Sequence, residues 1–156
     1  MKTFVTLMLG GNIGDTPRIF DTAVELLAGY GFETVARSRN FITSPVDCVP
    51  GTPDFFDAAL TGYWSGTARE LLEKTQQIER ACGRPKEHSS AEARTLDIDL
   101  ITFGMEVICE KDLQIPHPRS QQRLFVLEPL ATVAPDLRFP DTGQTLRECL
   151  EKCRKS

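Results

Sequence analysis

The sequence predicts an α+β fold of ferredoxin-like type, a mainly antiparallel sheet with helices packed on its faces. Three observations carry that expectation. Short apolar or alternating runs and helical stripes succeed one another in the order βαββαβ. Glycine and proline clusters punctuate them at each change of period. The chain has 156 residues, of which 40% are hydrophobic and 26% charged, enough for one proper core over 1–156 and too little for two.

"TFVTLML" (3–9) has the apolar run of a buried strand, and the glycine turn after it leads to Thr16 as a cap and Pro17 at the first helical position. The helix expected from Pro17 to about Ala28 turns Ile19, Ala23, Leu26 and Leu27 inward and ends at Gly29 and Gly31. "FETVARSRNFIT" (32–43) alternates as a second strand, "SPVDCVPGTPD" (44–54) is loop, and "FFDAALTGYW" (55–64) is a third strand. Thr67-Ala68-Arg69-Glu70 has the capping-box pattern, and Leu71, Leu72, Thr75, Ile78 and Cys82 form a stripe that stops at Gly83. "RPKEHSSAEA" (84–93) has the composition of a mobile loop. "ARTLDIDL" (93–100) gives strand four, Gly104 turns the chain, and "EVIC" pairs back as a hairpin arm. "IPHPRSQQRLFVLEPL" opens as a proline-bracketed loop and becomes a helix near Ser120. A short strand at Leu137 to Phe139 and a helix from about Thr145 complete the order.

Composition excludes several classes of function. A net charge of -4 offers no bulk attraction to nucleic acid or to an anionic membrane, so an anionic ligand must be held by a local basic cluster. No apolar stretch approaches the roughly 20 residues of a membrane span. The run in Met1 to Leu9 breaks at Gly10-Gly11-Asn12 without the small-residue pattern of a cleaved secretion signal. The five cysteines are scattered and lack a CxxC pair, which suggests neither a disulfide framework nor a zinc site and fits a reducing cytoplasm.

Chemistry concentrates in the acidic strand. On a strand, Thr95, Asp97 and Asp99 face one way while Leu96, Ile98 and Leu100 face the core. Aspartates at this spacing lie roughly 6.5 to 7 Å apart and repel by about 2 to 3 kcal/mol at an effective dielectric near 20. A cation between them removes that cost, and magnesium suits two carboxylates with water and phosphate as its other ligands. The plain alternative is a solvated edge-strand face. Arg94, Arg84 and Lys86 before the strand, with His117, Arg119 and Arg123 after it, supply donors for phosphate. "LGGNIGD" (9–15) lacks both the GK[ST] ending and the GxGxxG spacing, so a tight strand-to-helix turn explains its glycines better than a nucleotide cradle. Phe55 and Phe125 are rings able to sandwich a flat heterocycle, although phenylalanine is by default core.

In order and spacing, "LGGNIGD", "SRNFITSPV", "PDFFDAAL", "QQIERACGR", "RTLDIDLITFG" and "IPHPRSQQRLFVLEPL" resemble the 6-hydroxymethyl-7,8-dihydropterin pyrophosphokinase family over nearly the whole chain. The resemblance implies a ferredoxin-like fold and transfer of the terminal diphosphate of ATP to a pterin hydroxymethyl group, releasing AMP. It also implies that Asp97 and Asp99 hold two magnesium ions on the ATP phosphates. Gln76, Arg94, His117 and Arg123 would contact the nucleotide, with Arg84 and Lys86 as mobile-loop cations. Thr43, Val46, Phe55, Asp57 and Phe125 would line the pterin pocket. No protein nucleophile is implied; one aspartate is expected to help take up the hydroxyl proton, and mobile loops to close and exclude water.

The chain departs from the family pattern twice. Asp57 stands where the family usually has asparagine, and an ionised carboxylate accepts hydrogen bonds but cannot donate them. A protonated Asp57 would restore the donor. Ala91, Glu92 and Ala93 stand where a tryptophan, glycine and proline are usual, and Ser90 where a second arginine is common, which predicts a looser or slower closed state. Two other readings are therefore a paralogue acting on a different hydroxymethyl heterocycle and a pterin- or nucleotide-binding protein without turnover. Neither oligomeric state nor fusion to other domains is legible in the sequence.

Overall fold

In the computed structural model, which describes residues 1–44, 50–51, 53–83 and 95–155, four strands form a sheet in the order β2-β4-β1-β5. They are β1 (Thr3–Gly11), β2 (Glu33–Arg37), β4 (Phe55–Trp64) and β5 (Asp97–Phe103). A fifth, β3 (Phe41–Thr43), pairs with the start of β4, and every pairing is antiparallel. With α1 (Thr16–Gly29) between β1 and β2 and α2 (Ala68–Ala81) between β4 and β5, this is the ferredoxin-like plait that the order of elements predicts.

The period-two alternation of the strands divides the core into two layers. Val5, Leu7 and Leu9 of β1, Ala58 and Leu60 of β4, and Ile98 and Leu100 of β5 pack on Phe20, Ala23 and Leu27 of α1 and Leu71 and Ile78 of α2. On the opposite face, Met8, Ala59 and Ile101 pack against α3 (Leu124–Val133) and α4 (Leu146–Lys155) through Val126, Leu130, Leu146 and Leu150. Both faces are therefore covered along part of their length. No helix among the described residues is long and apolar enough to cross a membrane.

Local expectations hold where a specific hydrogen bond backs them. The capping box of α2 is complete, with the Thr67 hydroxyl accepting from Glu70 N (3.1 Å) and the Glu70 carboxylate accepting from Thr67 N (2.8 Å). Helix α1 is capped instead by Asp15, whose carboxylate accepts from Arg18 N at 3.4 Å, and Thr16 already lies within the helix. The expected second strand is two strands: Ser38 N still donates to Ala59 O (2.9 Å), but Ala59 N donates to the Ser38 hydroxyl (2.8 Å) instead of a backbone carbonyl, and the ladder resumes only at Phe41. Strand β5 starts at Asp97, two residues later than Thr95, which lies outside the strand.

The arm after Gly104 does not return to β5. Strand β6 (Ile108–Glu110) pairs with β7 (Leu113–Ile115), in register Glu110↔Leu113, as a separate hairpin with Lys111 and Asp112 at its tip. Leu113, beside the tip, and Ile115, at the base, pack into the α1/α2 core layer. Helix α3 begins at Leu124, after a single 3-10 turn at Ser120–Gln122, and the expected strand at Leu137 to Phe139 is a lone bridge between Arg138 and Thr145.

Candidate active site

The register of three strands brings the acidic residues together. Gly10 of β1 pairs with Asp57 on one side and with Asp97 on the other, so both carboxylates leave the sheet on the face of α3 and α4, flanking a residue without a side chain. Asp99, two residues on, shares that face. A Cβ built on Gly10 would stand 3.3 Å from Asp57 Oδ1, so glycine here gives the Asp57 carboxylate its room. Thr43 pairs with Phe55, which brings β3 to the rim beside the same group.

These residues wall a cavity of about 540 Å³. Thr43, Phe55 and Asp57 stand on one side, Asp97 and Asp99 on another, and His117, Arg123 and Phe125 on a third. His117 and Arg123 come from the segment between β7 and α3, and Phe125 from the first turn of α3. His117 N donates to Ile101 O (3.0 Å), which ties this segment to β5, and Ser120 N (3.1 Å) and Oγ (2.7 Å) both donate to His117 O. The Arg123 guanidinium lies 5.4 Å from the Phe125 ring centroid, and that ring is 46% exposed, hence available to a ligand.

A second cavity of about 390 Å³ adjoins the first, sharing Asp99 and His117 with it. Its walls alternate apolar and polar: Leu72 from α2, Ile98 and Leu100 from β5, and Lys111, Leu113 and Gln114 from the hairpin. Strand β5 is an edge of the sheet, and the backbone N–H of Ile98 finds its acceptor in the Glu79 carboxylate of α2 (2.7 Å).

Charge in the first cavity is out of balance. Burial, and next the negative fields of Asp99 and Asp97, push the Asp57 carboxyl up from 3.8 to about 7. Near neutral pH it is therefore divided between the acid, which donates a hydrogen bond, and the carboxylate, which only accepts. Among the described residues no three His, Cys, Asp or Glu side chains converge closely enough to hold a metal between them. Hard oxygen donors that leave most of a coordination sphere open fit magnesium carried in on phosphates.

Eight of the residues singled out from sequence thus meet in one cavity: Thr43, Phe55, Asp57, Asp97, Asp99, His117, Arg123 and Phe125. Gln76 is exposed on α2, one turn beyond Leu72, and is part of neither cavity wall. Val46, Arg84, Lys86 and Arg94 lie outside the described residues, as does the 84–93 loop with its altered Ser90 to Ala93. Sequence reasoning missed the hairpin's share of the second cavity, Lys111 and Gln114, which carry no motif. It also missed that Gly10, Gly11 and Asn12 line the first cavity, where "LGGNIGD" signalled only a turn.

The family described as 7,8-dihydro-6-hydroxymethylpterin-pyrophosphokinase matches residues 6–135. A 2-amino-4-hydroxy-6-hydroxymethyldihydropteridine pyrophosphokinase of Methylorubrum extorquens is 39% identical over 150 residues, covering 94% of this chain and 90% of that protein. The protein of the same name from Bacillus subtilis is 39% identical over 134 residues, 85% of this chain and 79% of its own length. A folate synthesis bifunctional protein of Arabidopsis thaliana is 35% identical over 81% of this chain, which corresponds to 26% of that protein. Among solved structures, wild-type HPPK-DHPS of Plasmodium falciparum superposes with a TM-score of 0.76 at 15% identity, over 97% of this chain and 41% of that one. At that identity the likeness is one of fold.

Proposed function

We propose a residue-level account of catalysis for this chain, which belongs to the 7,8-dihydro-6-hydroxymethylpterin-pyrophosphokinase family and is a pyrophosphokinase of folate biosynthesis. It acts as a single pyrophosphokinase domain over 1–156. The reaction moves the terminal diphosphate of ATP to the hydroxymethyl group of 6-hydroxymethyl-7,8-dihydropterin. The substrate hydroxyl attacks the β-phosphorus, the bond from that phosphorus to the α-phosphate oxygen breaks, and AMP leaves. The observation that supports this best is the pair of adjoining cavities, one between two aromatic rings and one between α2 and the hairpin, with Asp99 and His117 in the wall they share.

The pterin lies in the larger cavity against Phe55 and Phe125, with Thr43 at its rim and its polar edge toward Asp57, and Val46 is a further pterin contact. The adenosine end lies in the smaller cavity on Leu72, Ile98 and Leu113, where Lys111 and Gln114 offer polar contacts to the base. That arrangement strings the triphosphate past Asp99 and His117 toward the hydroxymethyl group. Asp97 and Asp99 would hold the two magnesium ions expected with the nucleotide, which would supply neutralisation of the phosphate charge. His117 and Arg123 donate to phosphate oxygens, Gln76 and Arg94 contact the nucleotide, and Arg84 and Lys86 supply further positive charge. The chain supplies no nucleophile: it orients two substrates and screens the charge between them.

The test is AMP formation by the purified protein with ATP, magnesium and 6-hydroxymethyl-7,8-dihydropterin, against ATP and magnesium alone. AMP that appears only with the pterin is the expected result. Magnesium-ATP binding without AMP would refute the acceptor, and Asp57→Asn would then be the first variant to assay.

A further inference from the structure

Arg69 is the second residue of α2, directly after the Thr67 cap and Ala68. A cation in the first turn faces the positive end of the helix dipole, so Arg69 is not favoured by its own helix. Its partners lie on the hairpin. Nη1 donates to Asp112 Oδ2 (2.9 Å) and Nη2 to Asp112 Oδ1 (3.1 Å), a two-pronged pairing, and Nη2 also bonds the Glu110 carboxylate. These hydrogen bonds hold the Asp112 carboxyl below its usual range.

The placement matters because the hairpin stands apart from the main sheet. A two-stranded hairpin is marginal by itself and needs packing to hold its position. Ile115 at the base of this one and Leu113 beside its turn are both buried in the core. Its tip, Lys111 and Asp112, is joined to α2 by Arg69, and both tip residues line the second cavity. On α2, residues 69, 72 and 76 recur at i, i+3 and i+7 and so share one face, with Leu72 forming the cavity wall opposite the tip.

We infer that Arg69 is a positioning residue for the nucleotide: through Glu110 and Asp112 it docks the β6–β7 tip on the start of α2 and so sets the width of the cavity between them. This rests on the adenosine end occupying that cavity. Arg69 and Glu110 line neither cavity, so their effect is transmitted through the hairpin. Side-chain exposures of 39% for Arg69, 56% for Glu110 and 66% for Asp112 mean that water and salt screen the network, which limits the effect to a modest factor.

The experiment is calorimetric titration of the full chain with magnesium and the α,β-methylene analogue of ATP, in which the bond to be broken is blocked. Arg69→Met and Glu110→Gln should each weaken binding about twofold to fivefold. The double variant should bind no more weakly than Arg69→Met, since both act through one contact. Arg69→Lys, which keeps the charge and loses the fork, should recover part of the loss, and pterin affinity should not change in any variant. Direct contact of Arg69 with phosphate predicts otherwise: removing the competing Glu110 charge would leave binding unchanged or tighter, and that result overturns the inference. So does Arg69→Met binding as tightly as wild type. A wild-type protein that does not bind the analogue overturns the placement of the nucleotide itself.

Discussion

Asp57→Asn should stabilise the metal-free protein at alkaline pH, although it alters a pocket residue. In the folded chain the Asp57 carboxyl is pushed up from 3.8 to about 7, so the native state holds its proton more tightly than the unfolded state does. The stabilisation from this tighter proton is complete below pH 3.8 and is lost as pH rises through about 7. At pH 8 an ionised Asp57 costs on the order of 4 kcal/mol at most, because each pH unit between 3.8 and about 7 adds about 1.4 kcal/mol in favour of the protonated folded form. Partial hydration at the cavity brings the working figure to about 2 kcal/mol. At pH 4 the cost is near zero, on the order of 0.5 kcal/mol. Asparagine keeps the shape and removes the charge, so the variant should exceed wild type by about 2 kcal/mol at pH 8 and match it near pH 4. Urea unfolding in EDTA across this range measures the difference. A gain independent of pH, or a loss at pH 8, would refute the assignment of the cost to ionisation beside Asp97 and Asp99.

Two variants separate the roles of the remaining pocket groups. Asp97→Ala should lower AMP formation by roughly a hundredfold or more if Asp97 holds magnesium on the transferring phosphates as proposed; a protein that merely binds would lose affinity for magnesium nucleotide and have no turnover to lose. Phe125→Ala should raise the KM for the pterin about tenfold, the scale of one lost stacking face, with the melting temperature nearly unchanged because the ring is half exposed.

The fold was legible because its elements carry local signals. The capping box at Thr67 and Glu70, the apolar run of β1, and the glycine at Gly83 with its φ of +96° each act within a few residues. The paired Asp97 and Asp99 were legible for the same reason, since a strand places i and i+2 on one face. What escaped depends on register between distant strands. That Asp57 would share a face with those aspartates follows only from Gly10 pairing with residues 57 and 97 at once. Likewise, Lys111 and Gln114 meet Leu72 across some forty positions of sequence, and the hairpin that carries them pairs with itself because β5 ends at Phe103 and Gly104 turns the chain away.

With the pterin and cations bound as proposed, three carboxylates on one face would make proton, cation and pterin interdependent. With the first cavity free of cations, lowering the pH through about 7 turns Asp57 into a donor able to pair with a ring carbonyl, and pterin affinity should fall as pH rises past that value. Cations on Asp97 and Asp99 cancel the two negative fields that help raise the Asp57 carboxyl, leaving burial as the main upward push. The fall in pterin affinity should therefore move to lower pH when magnesium and the blocked nucleotide are present. Asp57→Asn should show neither the fall nor its displacement, because an amide donates and accepts at every pH. Fluorescence titration of a pterin from about pH 5.5 to 8.5, with and without magnesium nucleotide, resolves the profiles. A wild-type profile as flat as that of Asp57→Asn would mean that Asp57 contacts the pterin through acceptors alone, and the substrate would then have to present its amino and ring N–H groups to this strand.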